Sequence, residues 1–125
     1  MKLRPGEWEA LVRRYSGASL TERPDGSAVV RVPDLTTPCG WSQSATTVWF
    51  VVPVGYPGAM PDCFWADAAL TLAGGGMPAN SGHQPVAGDG PSNLWFSWHL
   101  QSWSHVNDDL MSFVRFIESR FRHAS

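Results

Sequence analysis

The chain has 125 residues, of which 16% are charged, with nine Lys and Arg against eleven Asp and Glu. That length fits one domain around a single core, and the near-balanced charge lacks the positive field that non-specific binding to nucleic acid or to an anionic membrane requires. Seven Trp and six Phe place the stabilising surface in aromatic burial rather than in surface ion pairs.

In chain order, Pro5 opens an amphipathic helix in which Trp8, Leu11, Val12 and Tyr15 recur at helical spacing, and Gly17 ends it. After the turn signal ERPDGS comes AVVRVPDL, a β-rich run read as the first strand. TTPCGWSQS is a loop by composition, and TTVWFVVPV is a second, largely apolar strand. The prolines of GYPGAMPD interrupt the pattern, and CFWADAALTL resumes as a third strand. From Gly74 to Ser92 almost every residue is small, polar, Gly or Pro, which reads as one long structureless loop of the functional or mobile kind. It leads into LWFSWHLQSW, where His99 stands among Trp95, Trp98 and Trp103. The last element is an amphipathic helix with Asn107 as its expected N-cap, Asp108 and Asp109 in its first turn, and an apolar stripe of Leu110, Phe113, Val114, Ile117 and Phe121. Arg115, Arg120 and Arg122 are read as the charged face and last turn of that helix.

Two cysteines, Cys39 and Cys63, are too few for a disulfide scaffold and fit a reducing compartment. The opening MKLRPGEWEA has no apolar stretch of the signal-peptide kind, and no apolar run reaches the roughly 18 residues of a membrane span. The expectation is a soluble, cytoplasmic protein.

Two segments carry a resemblance. VPVGYPGAMPDCFW resembles the Tyr-Pro-x-x-x-Pro segment of ubiquitin-conjugating enzymes, which follows their third strand and precedes the fourth. SWHLQSWSHVNDDLMSFV resembles the stretch in which that superfamily has its active-site residue, then a Trp-Ser, then a helix. From Val29 to Phe121 the chain resembles the small prokaryotic UBC-like family lettered E. The resemblance implies an α+β, UBC-like fold: N-terminal helix, antiparallel β-meander, long loop and C-terminal helix, in one minimal domain over residues 1–125. It also implies a bacterial ubiquitin-like modification pathway, antiphage defence among its settings, with a ubiquitin-like protein and an activating-enzyme-like adenylyltransferase as partners. No small-molecule cofactor is expected.

The standard enzymes carry a His-Pro-Asn motif and then a nucleophilic Cys shortly before the Trp-Ser. Here Trp103-Ser104 follows Phe96, Ser97, Trp98 and His99, and the last cysteine in the chain is Cys63. Cys63 is the only thiol near the Tyr-Pro segment; strand alternation puts it on one face with Trp65, and the resemblance turns that face to the core, as a small hydrophobe rather than a nucleophile. Cys39 lies in a Pro-Cys-Gly loop with no positive neighbour and reads as an exposed bystander. His99 has the side chain suited to general acid–base work near neutral pH, and Ser97 shares its face at a two-residue spacing, although the sequence reveals no carboxylate to complete a triad. Asn93 and Asn80 are candidate amide donors to an oxyanion, against the usual turn-forming role of loop Asn. Tyr56, Pro57, Pro61, Trp98 and Trp103 are candidate groove or binding residues, with Tyr56 and Pro57 expected mainly to fix the loop's path. His83, His99, His105 and the two cysteines match no zinc spacing, so no metal is expected. Three functions remain open: a conjugating-enzyme-like component, a catalytically inactive adaptor on the same fold, and a small α+β hydrolase using Ser97 and His99.

Overall fold

The computed structural model describes residues 1–125. Helix α1 (Glu7–Arg14) is followed by strands β1 (Ser19–Glu22), β2 (Ala28–Thr36), β3 (Ala45–Val52), β4 (Phe64–Ala66), β5 (Ser81–Pro85) and β6 (Ser92–Phe96), and by helix α2 (Leu110–Phe121). The strands form one antiparallel sheet in the order β1-β2-β3-β4-β6-β5. The fold class is α+β, consistent with the UBC-like expectation. The meander holds through β4; the chain then crosses to the far edge as β5 and returns as β6 between β4 and β5.

Period-two burial decides which side of the sheet is the core. Val30 and Val32 of β2, Val48, Phe50 and Val52 of β3, Phe64 and Ala66 of β4, and Leu94 and Phe96 of β6 all face one side and are fully buried. Against them lies the stripe Leu110, Phe113, Val114, Ile117 and Phe121 of α2, as its 3.6-residue spacing requires. Phe64 stacks on Phe96 at 4.7 Å between centroids, and Phe121 meets both edge-on at 5.7 Å. Helix α1 contributes Leu11, with Trp8 and Tyr15 half-buried beside it. A bulge between Val32 and Leu35 absorbs Pro33, which has no amide hydrogen for the ladder. Helix α1 ends at Arg14 with Tyr15 as its C-cap, before the expected Gly17, whose glycine is needed instead because a Cβ there would lie 2.7 Å from the Pro33 ring.

Several expectations are corrected. The stretch 74–92 is not one structureless loop: Ser81–Pro85 pairs along the whole of β6, and a 3₁₀ turn at Val86–Gly88 follows. Arg23 donates from Nη2 to the Ala87 carbonyl at 3.2 Å, holding this turn over the sheet face opposite α2 and away from His99. The third strand is only three residues long, because Asp67 turns its carboxylate onto Thr46 and Thr47 of β3 and the chain leaves the ladder. The strand Ser19–Glu22 was unanticipated. The cap of α2 is Asp109, not Asn107: Asp109 Oδ1 accepts from the Ser112 amide at 2.9 Å while Ser112 Oγ accepts from the Asp109 amide at 3.1 Å, a reciprocal capping box. Trp65 lies outside the core, paired in register with Trp49 and Trp95 as an indole row on the opposite face.

Candidate functional site

The site forms where β4 begins and β6 ends. Phe64 and Phe96 are register partners, so Cys63 and Asp62 leave the ladder beside Ser97 and Trp98 as the two antiparallel chains run on in opposite directions. That continuation brings Asp62 to His99 across 37 residues of sequence. On the other side, Ser97 donates its amide to the Asn80 carbonyl at 2.8 Å, extending the β5–β6 pairing and fixing the Ser97 backbone. Cys63 breaks the strand pattern with φ at 59°, a left-handed conformation costly for a residue with a Cβ.

His99 is the hub. Its Nδ1 lies 2.6 Å from Asp62 Oδ1 and its Nε2 lies 3.3 Å from Ser97 Oγ. A carboxylate only accepts, so Nδ1 carries a proton, and in the neutral ring Nε2 then presents its lone pair to the Ser97 hydroxyl. Carboxylate, imidazole and hydroxyl therefore stand in the order of a catalytic triad. The side chains of His99 and Asp62 are 53% and 57% exposed, which leaves both open to a ligand. His99 borders a cleft of about 760 Å³ that is also lined by Asn80, Ser97, Trp98, Gln101 and Phe116.

Cys63 is close but differently placed. Its Sγ is 3.8 Å from His99 Nδ1, the nitrogen already committed to Asp62, and the residue is 8% exposed. Burial pushes its thiol pKa up, and the Asp62 charge adds to that. The expected burial of Cys63 holds, but the expected setting does not: with Trp65 it stands apart from the core cluster between the sheet and α2. Cys39 is exposed, as its loop suggested.

The other candidates divide. Trp98 forms a wall of the cleft, stacked on Phe116 at 6.4 Å with the Arg120 guanidinium 5.3 Å from its ring centre. Trp103 turns away and donates its indole N–H to the Pro57 carbonyl at 2.8 Å, with its ring 5.9 Å from that of Tyr56. Tyr56 is 2% exposed and gives its hydroxyl to Glu7; the Tyr56–Pro57 bond is cis and Pro61 is buried. These four residues support the site from below. Asn93 is set apart: it pairs with Gln84 in the β5–β6 ladder and lines a separate cavity with Thr21, Arg23 and Trp49. Asn80 borders the cleft and offers its backbone carbonyl to Ser97. The residue missed in the sequence is Asp62. Its approach to His99 follows from the pairing of β4 with β6, which no local pattern in the sequence gives.

A short N-terminal helix, an antiparallel sheet carrying a Tyr-Pro-x-x-x-Pro turn between β3 and β4, and a helix after Trp-Ser define an α+β domain of the UBC-like class. The chain belongs to prokaryotic E2 family E, whose sequence model matches residues 14–124. Comparison with curated proteins and with solved structures gives no match. No helix is long and apolar enough to cross a membrane.

Proposed function

We propose that this E2-like protein works in a ubiquitin-like modification pathway, receiving the activated tail of a ubiquitin-like protein from an adenylyltransferase of the activating-enzyme kind. The tail lies in the cleft beside Trp98, and acyl transfer runs through Ser97 and His99 rather than through a cysteine. The observation that carries this reading is the line from Asp62 through His99 to Ser97, the last two of which border the cleft beside Trp98.

In the step envisaged, Ser97 Oγ attacks the thioester carbonyl while His99 Nε2 takes its proton. The C–S bond breaks, the departing thiolate receives that proton, and the tail remains as an oxyester on Ser97. Asp62 holds His99 in the required tautomer and stabilises the imidazolium that forms in transit. An amine or water then takes the acyl group by the same route in reverse.

The test is incubation with ATP, the activating enzyme and the ubiquitin-like protein, followed by electrophoresis with and without thiol. The expected adduct resists thiol, is cleaved by hydroxylamine, and is absent from Ser97→Ala and His99→Asn. A thiol-sensitive adduct lost in Cys63→Ser would move the chemistry to sulfur.

A second reading, an inactive adaptor on the same fold, is favoured by one observation: the only thiol near the site is buried and raised in pKa, so the usual thioester carrier is lacking. Measurable binding to either partner with no adduct of any kind would make it the better account.

A further inference from the structure

We propose that Asp62, Cys63 and His99 form a three-donor site for a thiophilic divalent cation, zinc being the best match, with its fourth position open to solvent on the exposed side of Asp62 and His99. Carboxylate oxygen, sulfur and ring nitrogen all lie within 4.8 Å of one another. Such a mixed set suits a borderline-soft ion better than magnesium or calcium, which favour oxygen alone.

The distances are close to those a cation would impose. With Zn–S about 2.3 Å and Zn–N about 2.0 Å, a tetrahedral angle sets sulfur and nitrogen about 3.5 Å apart. Cys63 Sγ and His99 Nδ1 are already at 3.8 Å. The Asp62 oxygen, at 2.6 Å from Nδ1 and within 4.8 Å of the sulfur, is the atom that must move, to about 3.3 Å from the nitrogen and about 3.5 Å from the sulfur by the same geometry. Its exposed side chain has room to do so, whereas the sulfur is held in place by burial. Three protein ligands with one open position is the arrangement of catalytic rather than structural zinc.

Ion and relay would compete for a single atom. A cation on Nδ1 displaces the hydrogen bond to Asp62 and leaves the ring proton on Nε2, which then donates and can no longer accept from Ser97. Occupancy would therefore switch His99 from base to donor. That consequence rests on the acyl-transfer reading; the binding itself does not.

Cobalt(II) and zinc(II) titrations of the full chain test the site without its partners. Cobalt should give a thiolate-to-metal charge-transfer band in the near ultraviolet that saturates at one equivalent, and zinc should abolish it. The band should survive Cys39→Ser and vanish in Cys63→Ser and His99→Asn, with folding checked by circular dichroism. Asp62→Asn, at an exposed position, should weaken binding by about tenfold or more, since even outer-shell partners of a metal contribute that much. Absence of the band in the wild type, or a band that Cys63→Ser leaves intact, overturns the proposal. Failure of the serine adduct leaves these titrations unaffected, so the two ideas fall separately.

Discussion

Replacing Glu7 by Ala should destabilise the protein more than any other single carboxylate change. Glu7 is 6% exposed, and its Oε1 accepts from the Leu110 amide at 2.7 Å and from the Tyr56 hydroxyl, while Oε2 accepts from the Arg4 amide at 2.8 Å. The Leu110 amide is one of the unpaired donors that open α2. Burial first, then the Glu7 hydrogen bond and charge, push the Tyr56 phenol far above its ordinary range, so it remains a donor at any working pH. Truncation to Ala strands two buried donors at about 1–3 kcal/mol each, so the expected loss is about 4 kcal/mol, a large part of the roughly 5–15 kcal/mol a domain has in total. Glu7→Gln keeps an amide oxygen for both buried donors and sets its NH2 against the more accessible Arg4 amide, for a loss of about 1–2 kcal/mol. Urea unfolding of the three proteins, compared at constant m, gives the values. A loss below about 1 kcal/mol for Glu7→Ala, or equal losses for Ala and Gln, would refute the claim that this carboxylate joins α1, Tyr56 and α2.

Three further outcomes are expected. Under a thiol reagent in native buffer Cys39 should label quickly and Cys63 slowly, the two rates converging only in denaturant; fast native labelling of both would contradict the burial and raised pKa of Cys63. Asp109→Ala should cost about 1 kcal/mol through loss of its cap, while Asn107→Ala should stay within about 0.5 kcal/mol, and thermal melts that reverse this order would restore the sequence-based cap. Trp103→Phe should keep the ring packing on Tyr56 and lose the bond to Pro57, for about 1–2 kcal/mol in the same melts.

What the sequence made legible was whatever depended on periodicity. Both helices, the alternation of β2 and β3, and the stripe of α2 follow from side-chain direction at spacings of 3.6 and 2.0. Gly74–Ser92 misled because β5 is an edge strand of small and polar residues, whose stability comes from the ladder with β6 and not from any apolar pattern of its own. Asn107 misled because three candidate caps stand in a row, and only the reciprocal bond to Ser112 selects Asp109. Trp65 misled because strand alternation groups side chains by face without saying which face meets α2, and the resemblance assigned the Trp65 face to the core. Asp62 was illegible for a different reason: its partner lies 37 residues away, and only the pairing of β4 with β6 defines their approach.

The histidine set among tryptophans owes its chemistry to that same pairing. A ring packed on indoles and satisfied by one carbonyl would be structural filling, but both nitrogens of His99 face side chains that exchange or bind protons. Proximity alone would name Cys63 as the nucleophile by analogy with ubiquitin-conjugating enzymes. Direction argues against it: the sulfur lies on the side of Nδ1, where Asp62 already receives the proton, so His99 cannot take the thiol's proton without giving up the carboxylate. The free lone pair on Nε2 serves Ser97 instead. A divalent cation at the proposed site would hold the Cys63 thiolate as a ligand and, on Nδ1, would take the base away from Ser97. If acyl transfer runs as proposed, the choice of carrier turns on which partner holds one ring nitrogen, and metal-free and zinc-loaded protein should differ most in the reaction of Ser97.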